Sequence, residues 1–334
     1  MSTSAVLRPV RSDEAGSIWD VLSDATDTVG MGSLPRSAAA AEHLCDASAR
    51  LTTALATGTY VAHPGSTDRI LLVLEDNDRV VGITGCSFKT EIPNLGVRIE
   101  TGEDGAGLVM RAVAQPWTRT ELDSSYLAAP ARGQGLGTLL SRGRFLLLHL
   151  LSSQIPTTIV SHIRGMFDTT GAAPFWHLFG ARIVPGWSTS VEAEAALAAD
   201  PGELERLAGS SIRLTAPVLE CLGRVNDDSL PAFRALASEG LRPTELFDPV
   251  DGGPTVTADL DATHSGRQRR HGRVAHGPTE TDALVSTVTR DGFRATRCPI
   301  GDADSETVAL DNAAMAALGV DDGLVVASPL AEAT

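Results

Sequence analysis

Residues 132 to 137 read Arg132-Gly133-Gln134-Gly135-Leu136-Gly137 and run straight into an apolar stretch with Leu139, Leu140, Leu147, Leu150 and Leu151 at helical spacings. Glycines at a strand-to-helix junction admit left-handed backbone and close approach, so successive N–H groups can gather around an anion at the positive end of the helix. The chemistry this predicts is a cradle for a diphosphate. From Ser124 to Phe167 there is no aspartate or glutamate, yet Arg132, Arg142, Arg144 and Arg164 all fall there. That predicts a locally positive field; the competing reading is a tight turn followed by a solvated arginine face. A Walker loop ends in Gly-Lys followed by Ser or Thr, and a dinucleotide fold carries an acid about 20 residues beyond its glycines. This chain has no such ending, and Gln154 to Ile159 occupy the second place.

The cradle needs a strand before it and a helix after it. Glu121 to Ala129 reads as the strand, Leu136 to Ser153 as the helix, and Thr157 to His162 as a further short, buried strand. Upstream, residues 5 to 11 read as a strand, Ser12 as the N-cap for the periodic Ile18, Val21 and Leu22, and Ser37 to Leu55 as an alanine-rich helix. Arg69 to Glu75 and Arg79 to Lys89, joined by Asp76-Asn77-Asp78, predict an antiparallel hairpin. Thr90 to Gln115, rich in glycine and acids, shows no periodicity and receives no element. Downstream, Pro174 to Phe179 predicts a short helix, Ala181 to Val184 a strand, and Ser190 to Gly209 a helix or linker. Ser229 to Gly240 predicts an amphipathic helix leading into Leu241 to Asp261, and short strands with one helix follow the basic stretch Arg267 to Arg273. The expected fold is α/β of the α+β kind, in three parts: a mixed sheet over residues 1–190, a second smaller αβ unit over 191–262, and a small β-rich module over 263–334.

Composition narrows the function classes. With 334 residues, 43% hydrophobic and 21% charged, the chain has the material for a large folded core rather than a disordered tail. Its 27 basic against 42 acidic residues give a net charge of −15, which repels phosphate backbones and anionic lipid, so neither nucleic acid nor a membrane surface is an expected partner. The longest apolar run, Phe145 to Leu151, is far short of the ~20 residues that span a bilayer. Cys45, Cys86, Cys221 and Cys298 lie far apart without a Cys-x-x-Cys pair, and the opening MSTSAVLRPV lacks the apolar core of a signal peptide. A reduced, cytoplasmic protein is expected. No set of His, Cys or carboxylates has zinc-type spacing, so no metal is expected.

The spacing Arg-x-x-Gly-x-Gly resembles the pyrophosphate-binding motif of the GNAT superfamily of acyl-CoA N-acyltransferases, and the order of strands and helices agrees with it. Further blocks resemble one family within it, the arginine N-succinyltransferases. These are Gly30-x-x-Ser33-Leu34-Pro35, Glu121-Leu122 through Arg132, Gly135 and Gly137 to Arg144-Phe145, Arg164-Gly165-x-x-Asp168-x-x-Gly171-x-x-Pro174-Phe175-Trp176, Glu239-Gly240 and Asp251-Gly252-Gly253-Pro254. The resemblance implies a GNAT-like sheet, succinyl-CoA as co-substrate with no prosthetic group, and succinyl transfer to the α-amino group of arginine in arginine catabolism. It also implies an oligomer, of this chain or with a related one. By the same resemblance, Ser125, Leu127, Arg132, Gly133, Gln134, Gly135, Leu136 and Gly137 contact the co-substrate, while Ser33, Arg164 and Asp168 lie on the acceptor side. There Asp168 would meet a guanidinium and Arg164 a carboxylate, unless the two pair with each other.

One departure from the family and one from the wider superfamily bear on catalysis. The family's histidine, its proton carrier, falls here at Asn226, and an amide carries no proton at neutral pH. The catalytic position is therefore expected at Asn226-Asp227-Asp228, with one aspartate accepting the proton directly or through water; the alternative is that both merely cap the helix from Ser229. Trp176 stands where many GNAT enzymes carry a tyrosine, and an indole cannot protonate a thiolate. His162 and His177 read either as proton relays or as hydrogen-bonded structural residues. A second functional reading is a catalytically silent CoA-binding subunit, and a third an N-acyltransferase with another amine acceptor.

Overall fold

The structure is a computed structural model, and it describes residues 5–23, 25, 31–102, 108–181, 211–290, 292–301 and 306–330. The expectations at Gly30, at residues 182–184 and across 190–209 lie outside these. The strands are β1 (Val6–Pro9), β2 (Thr67–Asp76), β3 (Arg79–Thr101), β4 (Leu108–Leu127), β5 (Thr158–His162), β6 (Ser211–Arg213), β7 (Arg242–Phe247), β8 (Pro254–Asp259), β9 (Arg270–His276), β10 (Thr281–Thr289), β11 (Gly292–Ile300), β12 (Thr307–Leu310) and β13 (Leu324–Pro329). The helices are α1 (Ala15–Ser23), α2 (Ala38–Ala56), α3 (Leu136–Leu150), α4 (Ala216–Cys221), α5 (Leu230–Glu239), α6 (His264–Gln268) and α7 (Asn312–Leu318).

All the strands belong to one mixed sheet in the order β12-β9-β13-β10-β11-β1-β2-β3-β7-β8-β5-β4-β6, and β3 also pairs with β4. Pairing therefore closes a circuit, β3–β4–β5–β8–β7–β3. β2 explains why its sequence is a continuous apolar run: Ile70, Leu72 and Leu74 pack with α3, while Leu71 and Val73 face α1 and α2. The β2–β3 hairpin turns on Asn77 and Asp78 at φ +50° and +59°, a left-handed pair that these two residue types tolerate. Ser37 caps α2, its hydroxyl accepting from the Ala40 N–H at 3.1 Å. Among the described residues no helix is long and apolar enough to cross a membrane, and all four cysteines are free thiols.

The sequence leaves Thr90 to Gln115 without an element, yet most of it is strand, because β3 and β4 form one long ladder from Gly82↔Leu127 to Thr101↔Leu108. Pro93 lies opposite Pro116, so the two missing donors fall at one place in the ladder. Ser12 opens a 3-10 turn, Ser12–Glu14, with Arg11 rather than Ser12 at the cap position. Ala181 closes the π-helical turn Trp176–Gly180 instead of starting a strand.

Candidate active site

After β4 a 3-10 turn, Ala129–Ala131, leads to Gly133 and Gly135 at φ +75° and +80°, and α3 begins at Leu136 with Gly135 as its N-cap. A side chain would strain both glycine positions. Arg132 to Gly135 and Gly137 are exposed, and a Cβ on Gly133 or Gly137 would meet nothing within 4 Å. The first N–H groups of α3, which have no partner within the helix, thus lie at an open surface suited to an anion. Around them, Arg132 donates to the Leu127 carbonyl at 2.9 Å with its guanidinium 5.5 Å from the Tyr126 ring centre, and Gln134 donates to the Pro130 carbonyl at 2.9 Å.

The positive field expected from the arginines is smaller than their number implies. Arg142 is buried against Glu239 at 2.6 Å, and Glu239 also accepts from Ser265, so this pair ties α3 to α5 and α6. Arg144 is buried too, and donates to the carbonyls of Ser141 and Gly85. A sequence without nearby acids looks positive; Arg142 is matched by an acid 97 residues away, and Arg144 is engaged by backbone carbonyls.

The strand leading to the cradle is distorted where chemistry would need it. β4 pairs with β5 only at Thr120↔Ile159 and Glu121↔Val160, so beyond Glu121 the two strands part. On the other edge the β3–β4 register slips between Ile83 and Gly85, and Ser124 sits at φ +50°. A bulge of this kind turns peptide groups out of the ladder. Ser33 holds it: the Ser124 N–H donates to the Ser33 hydroxyl at 3.1 Å, and the Ser124 hydroxyl donates to the Ser33 carbonyl at 2.9 Å.

A cleft of about 440 Å³ opens beside this bulge, lined from β3, β4, β5, α5, the loop through Ser33 and the β7–β8 connection. Its charged floor is a cluster. The Glu121 carboxylate lies 2.7 Å from the Lys89 ammonium, 3.3 Å from the Arg119 guanidinium and 3.7 Å from His162 Nε2. Burial by itself would raise the Glu121 carboxyl, but Lys89, then His162 and Arg119, outweigh it and hold the group at about 2. His162 is displaced downward, chiefly by burial, with Lys89 and Arg119 adding to the effect against Glu121 and Asp248. Its Nδ1 lies 3.1 Å from the Thr255 hydroxyl. Asp123 is bound by Arg69 at 2.8 Å and by the Ser87 hydroxyl. Asp251 accepts from the N–H groups of Gly165 and Gly253 at 2.7 and 2.8 Å, which locks the end of β5 to the β7–β8 connection.

Ser33, Ser125 and Arg164 line the cleft. Arg164 donates to the Ser229 hydroxyl at 3.2 Å and to the Asn226 side-chain oxygen at 3.1 Å, and Asp228 lies 3.6 Å away. Asn226 is a cap: the same oxygen accepts from the Asp228 N–H at 3.0 Å. Asn226, Asp227 and Asp228 are not among the residues lining the cleft, and both aspartates are exposed. Asp168 also lies off the cleft, folded onto its own loop, where it accepts from the Thr170 hydroxyl and the N–H groups of Thr170 and Ala172. Those bonds, the Thr170 hydroxyl first, lower its carboxyl. Leu127 ends β4 and Leu136 is buried at the start of α3. Trp176 is buried with Ala173 and Val250 and is not among the residues lining the cleft. Among the described residues no group of His, Cys, Asp and Glu could hold a metal ion.

Sequence reasoning passed over Lys89, Arg119, Glu121 and Asp248 as site residues. The signal was present in Arg119, Glu121 and Asp123, charges at every second residue of a strand flanked by buried Thr120 and Leu122. Alternation of that kind marks one polar face of an interior strand.

Sequence and fold both resemble known proteins. Residues 108–265, which hold β4, the cradle, β5 and the turn at Asn226, match the family model described as arginine N-succinyltransferase beta subunit. Over 320 residues, 90% of each chain, the sequence is 26% identical to the arginine N-succinyltransferase of Shigella flexneri serotype 5b. The chain resembles the arginine N-succinyltransferases over nine-tenths of its length. It is 30% identical to the arginine N-succinyltransferase of Enterobacter sp. strain 638 over 183 residues, 53% of each chain. The structure of arginine/ornithine succinyltransferase subunit AI from Pseudomonas aeruginosa superimposes with a TM-score of 0.81 at 24% identity, covering 98% of this chain and 99% of that one. That likeness establishes the fold, a mixed α/β architecture built on one large sheet. The family's blocks take their places in it: Asp251-Gly252-Gly253 clamps β5, Glu239 clamps α3, and the glycines open α3.

Proposed function

We propose that the chain is an acyl-CoA-dependent N-acyltransferase that moves the succinyl group of succinyl-CoA to the α-amino group of arginine, giving N2-succinylarginine and CoA. The observation that carries this reading is the continuous path from the bulge at Ser124, along Ser125 to Leu127, to the exposed glycine turn at Gly133 and Gly135. The diphosphate of CoA is assigned to the N–H groups opening α3, and the pantetheine arm to the free edge of β4 beyond Glu121. The thioester carbonyl is assigned to the peptide groups displaced by the bulge, where preorganised N–H donors stabilise the oxyanion. The acceptor enters the charged cleft, with Ser33 and Arg164 as its contacts; Arg164 is the natural partner for a carboxylate. Asp168, engaged with its own loop, is given no part.

The experiment is to mix purified protein with succinyl-CoA and arginine and follow thiol release, with calorimetric titration of CoA alongside. Turnover with arginine and CoA binding are expected together; binding without turnover over a panel of amines and acyl-CoAs would favour the silent-subunit reading. We further propose a cytoplasmic location, an oligomer of this chain or with a related one, and three folding units at 1–190, 191–262 and 263–334. Light scattering and limited proteolysis test the last two.

A further inference from the structure

Acyl transfer needs a neutral amine, and an α-ammonium with a pKa near ~8 must first lose a proton. The cleft limits what can take it. Lys89, Arg119, Arg144 and Arg164 are cations. The Glu121 carboxylate is far too weak a base at about 2. Asp123 is bound by Arg69 and Ser87, Asp248 accepts from the N–H groups of Val250 and Asp251, and Asp251 accepts from Gly165 and Gly253. Asn226 is off the cleft and has no basic atom, since its oxygen receives Arg164 and Asp228. One imidazole lines the cleft, that of His162, at the point where β5 leaves β4; the neighbouring Ser161 hydroxyl donates to the Leu122 carbonyl at 3.0 Å, two residues from the bulge.

We propose that His162 is the catalytic base of this enzyme, taking the proton of the acceptor ammonium on Nε2 while Thr255 holds Nδ1 and the Glu121 carboxylate faces the imidazolium that forms. The inference rests on the acyl-transfer reading above. In the step, the acceptor ammonium gives one proton to Nε2, and the freed lone pair forms the C–N bond as the C–S bond breaks. The second proton on nitrogen goes to the departing sulfur, and the proton on Nε2 returns to water. Glu121, Lys89 and Arg119 are positioning residues: the two cations keep the carboxylate ionised, and the carboxylate keeps the imidazolium paired. The groups facing the ring are Glu121 and Arg119 from β4, Lys89 from β3, Asp248 from the β7–β8 connection and Thr255 from β8. Burial keeps the imidazole neutral, and so basic, at pH 7.

The test is His162→Gln, with kcat/KM for arginine followed from pH 5 to 9 and CoA affinity measured alongside. The expected result is a loss of about 100-fold or more in kcat, CoA affinity kept, and disappearance of the acid limb of the profile, which in the wild type falls below pH 6.5. A merely structural histidine would lower activity at all pH values and leave the limb in place. The 15N shifts of the wild-type imidazole, assigned by its absence in the variant or by selective labelling, should show a neutral ring at pH 7. A ring protonated at pH 7, or a variant with wild-type kcat and an unchanged limb, overturns the inference while transfer itself stands. Wild-type protein that binds CoA and transfers nothing removes the functional reading and this step together.

Discussion

The turn at residues 133 to 137, proposed to hold the diphosphate, and the cluster of Lys89, Arg119, Glu121 and His162, proposed to serve the acceptor, are built of different materials. The first offers backbone, at an open surface, and its side chains matter by being absent. The second is made of side chains from three strands, brought within 4 Å of one carboxylate. Backbone donors need only the right φ values, which Gly133 and Gly135 supply. A charged cluster needs every partner, because a buried ion left alone is costly while a paired one is tolerated. The two regions should therefore fail differently. Glu121→Ala leaves Lys89 and the buried Arg119 facing each other across an empty site, and should cost about 3–5 kcal/mol of folding stability. Urea unfolding of the variant checks it; a loss no larger than an ordinary surface substitution would mean that water screens the cluster.

The same cluster predicts an acid limit. A carboxyl held by folding at about 2 rather than its ordinary 4.5 contributes stability that is fully present above pH 4.5 and is lost as the pH falls toward 2. Thermal melts across that window should show a decline that is shallower in Glu121→Gln, since the variant has no proton to bind. No comparable dependence is expected from the cradle, which contains no carboxylate.

This contrast also explains what could be read before the structure. The glycine turn into α3 was legible because its determinants are contiguous: the arginine, the glycines and the leucine period follow one another along the chain. The α2 cap at Ser37, the Asn77-Asp78 hairpin and the buried β2 run were legible for the same reason, since each is a local rule satisfied locally. The cleft was not, because Lys89, Glu121, His162 and Thr255 meet only once β3, β4, β5 and β8 close their circuit. Likewise Arg142 is disarmed by Glu239, 97 residues away, and no local pattern announces that partner. Thr90 to Gln115 was lost to a different cause: its glycines, acids and missing alternation argue against strand locally, whereas the long pairing of β3 with β4 supplies the partner that makes it one.

Gly137 separates backbone chemistry from backbone strain. It lies inside α3 with no left-handed φ, and its missing Cβ would enter open space. Alanine there should stabilise the free protein by about 0.5–1 kcal/mol, because glycine is the poorer helix residue. If the diphosphate rests on this turn, the added methyl intrudes on it, and CoA affinity should fall about tenfold, or ~1.4 kcal/mol. Melting temperature and CoA titration would then move in opposite directions. A variant that is stabilised and binds CoA as tightly as before would place the diphosphate elsewhere.

Asp168 supplies the smallest effect and a useful boundary. Its carboxylate is spent on the Thr170 hydroxyl and on two backbone N–H groups of its own exposed loop, and it does not reach the cleft that holds Arg164. Asp168→Ala should therefore lower the melting temperature only slightly through the lost turn bonds and leave kcat/KM for arginine within about twofold. Arg164→Met should instead raise the KM for arginine, since a cation facing the acceptor is removed along with the anchor for Ser229 and Asn226. If the Asp168 variant lost arginine turnover selectively while melting normally, the loop would have to swing toward the cleft during the reaction, and recognition of the guanidinium would move there with it.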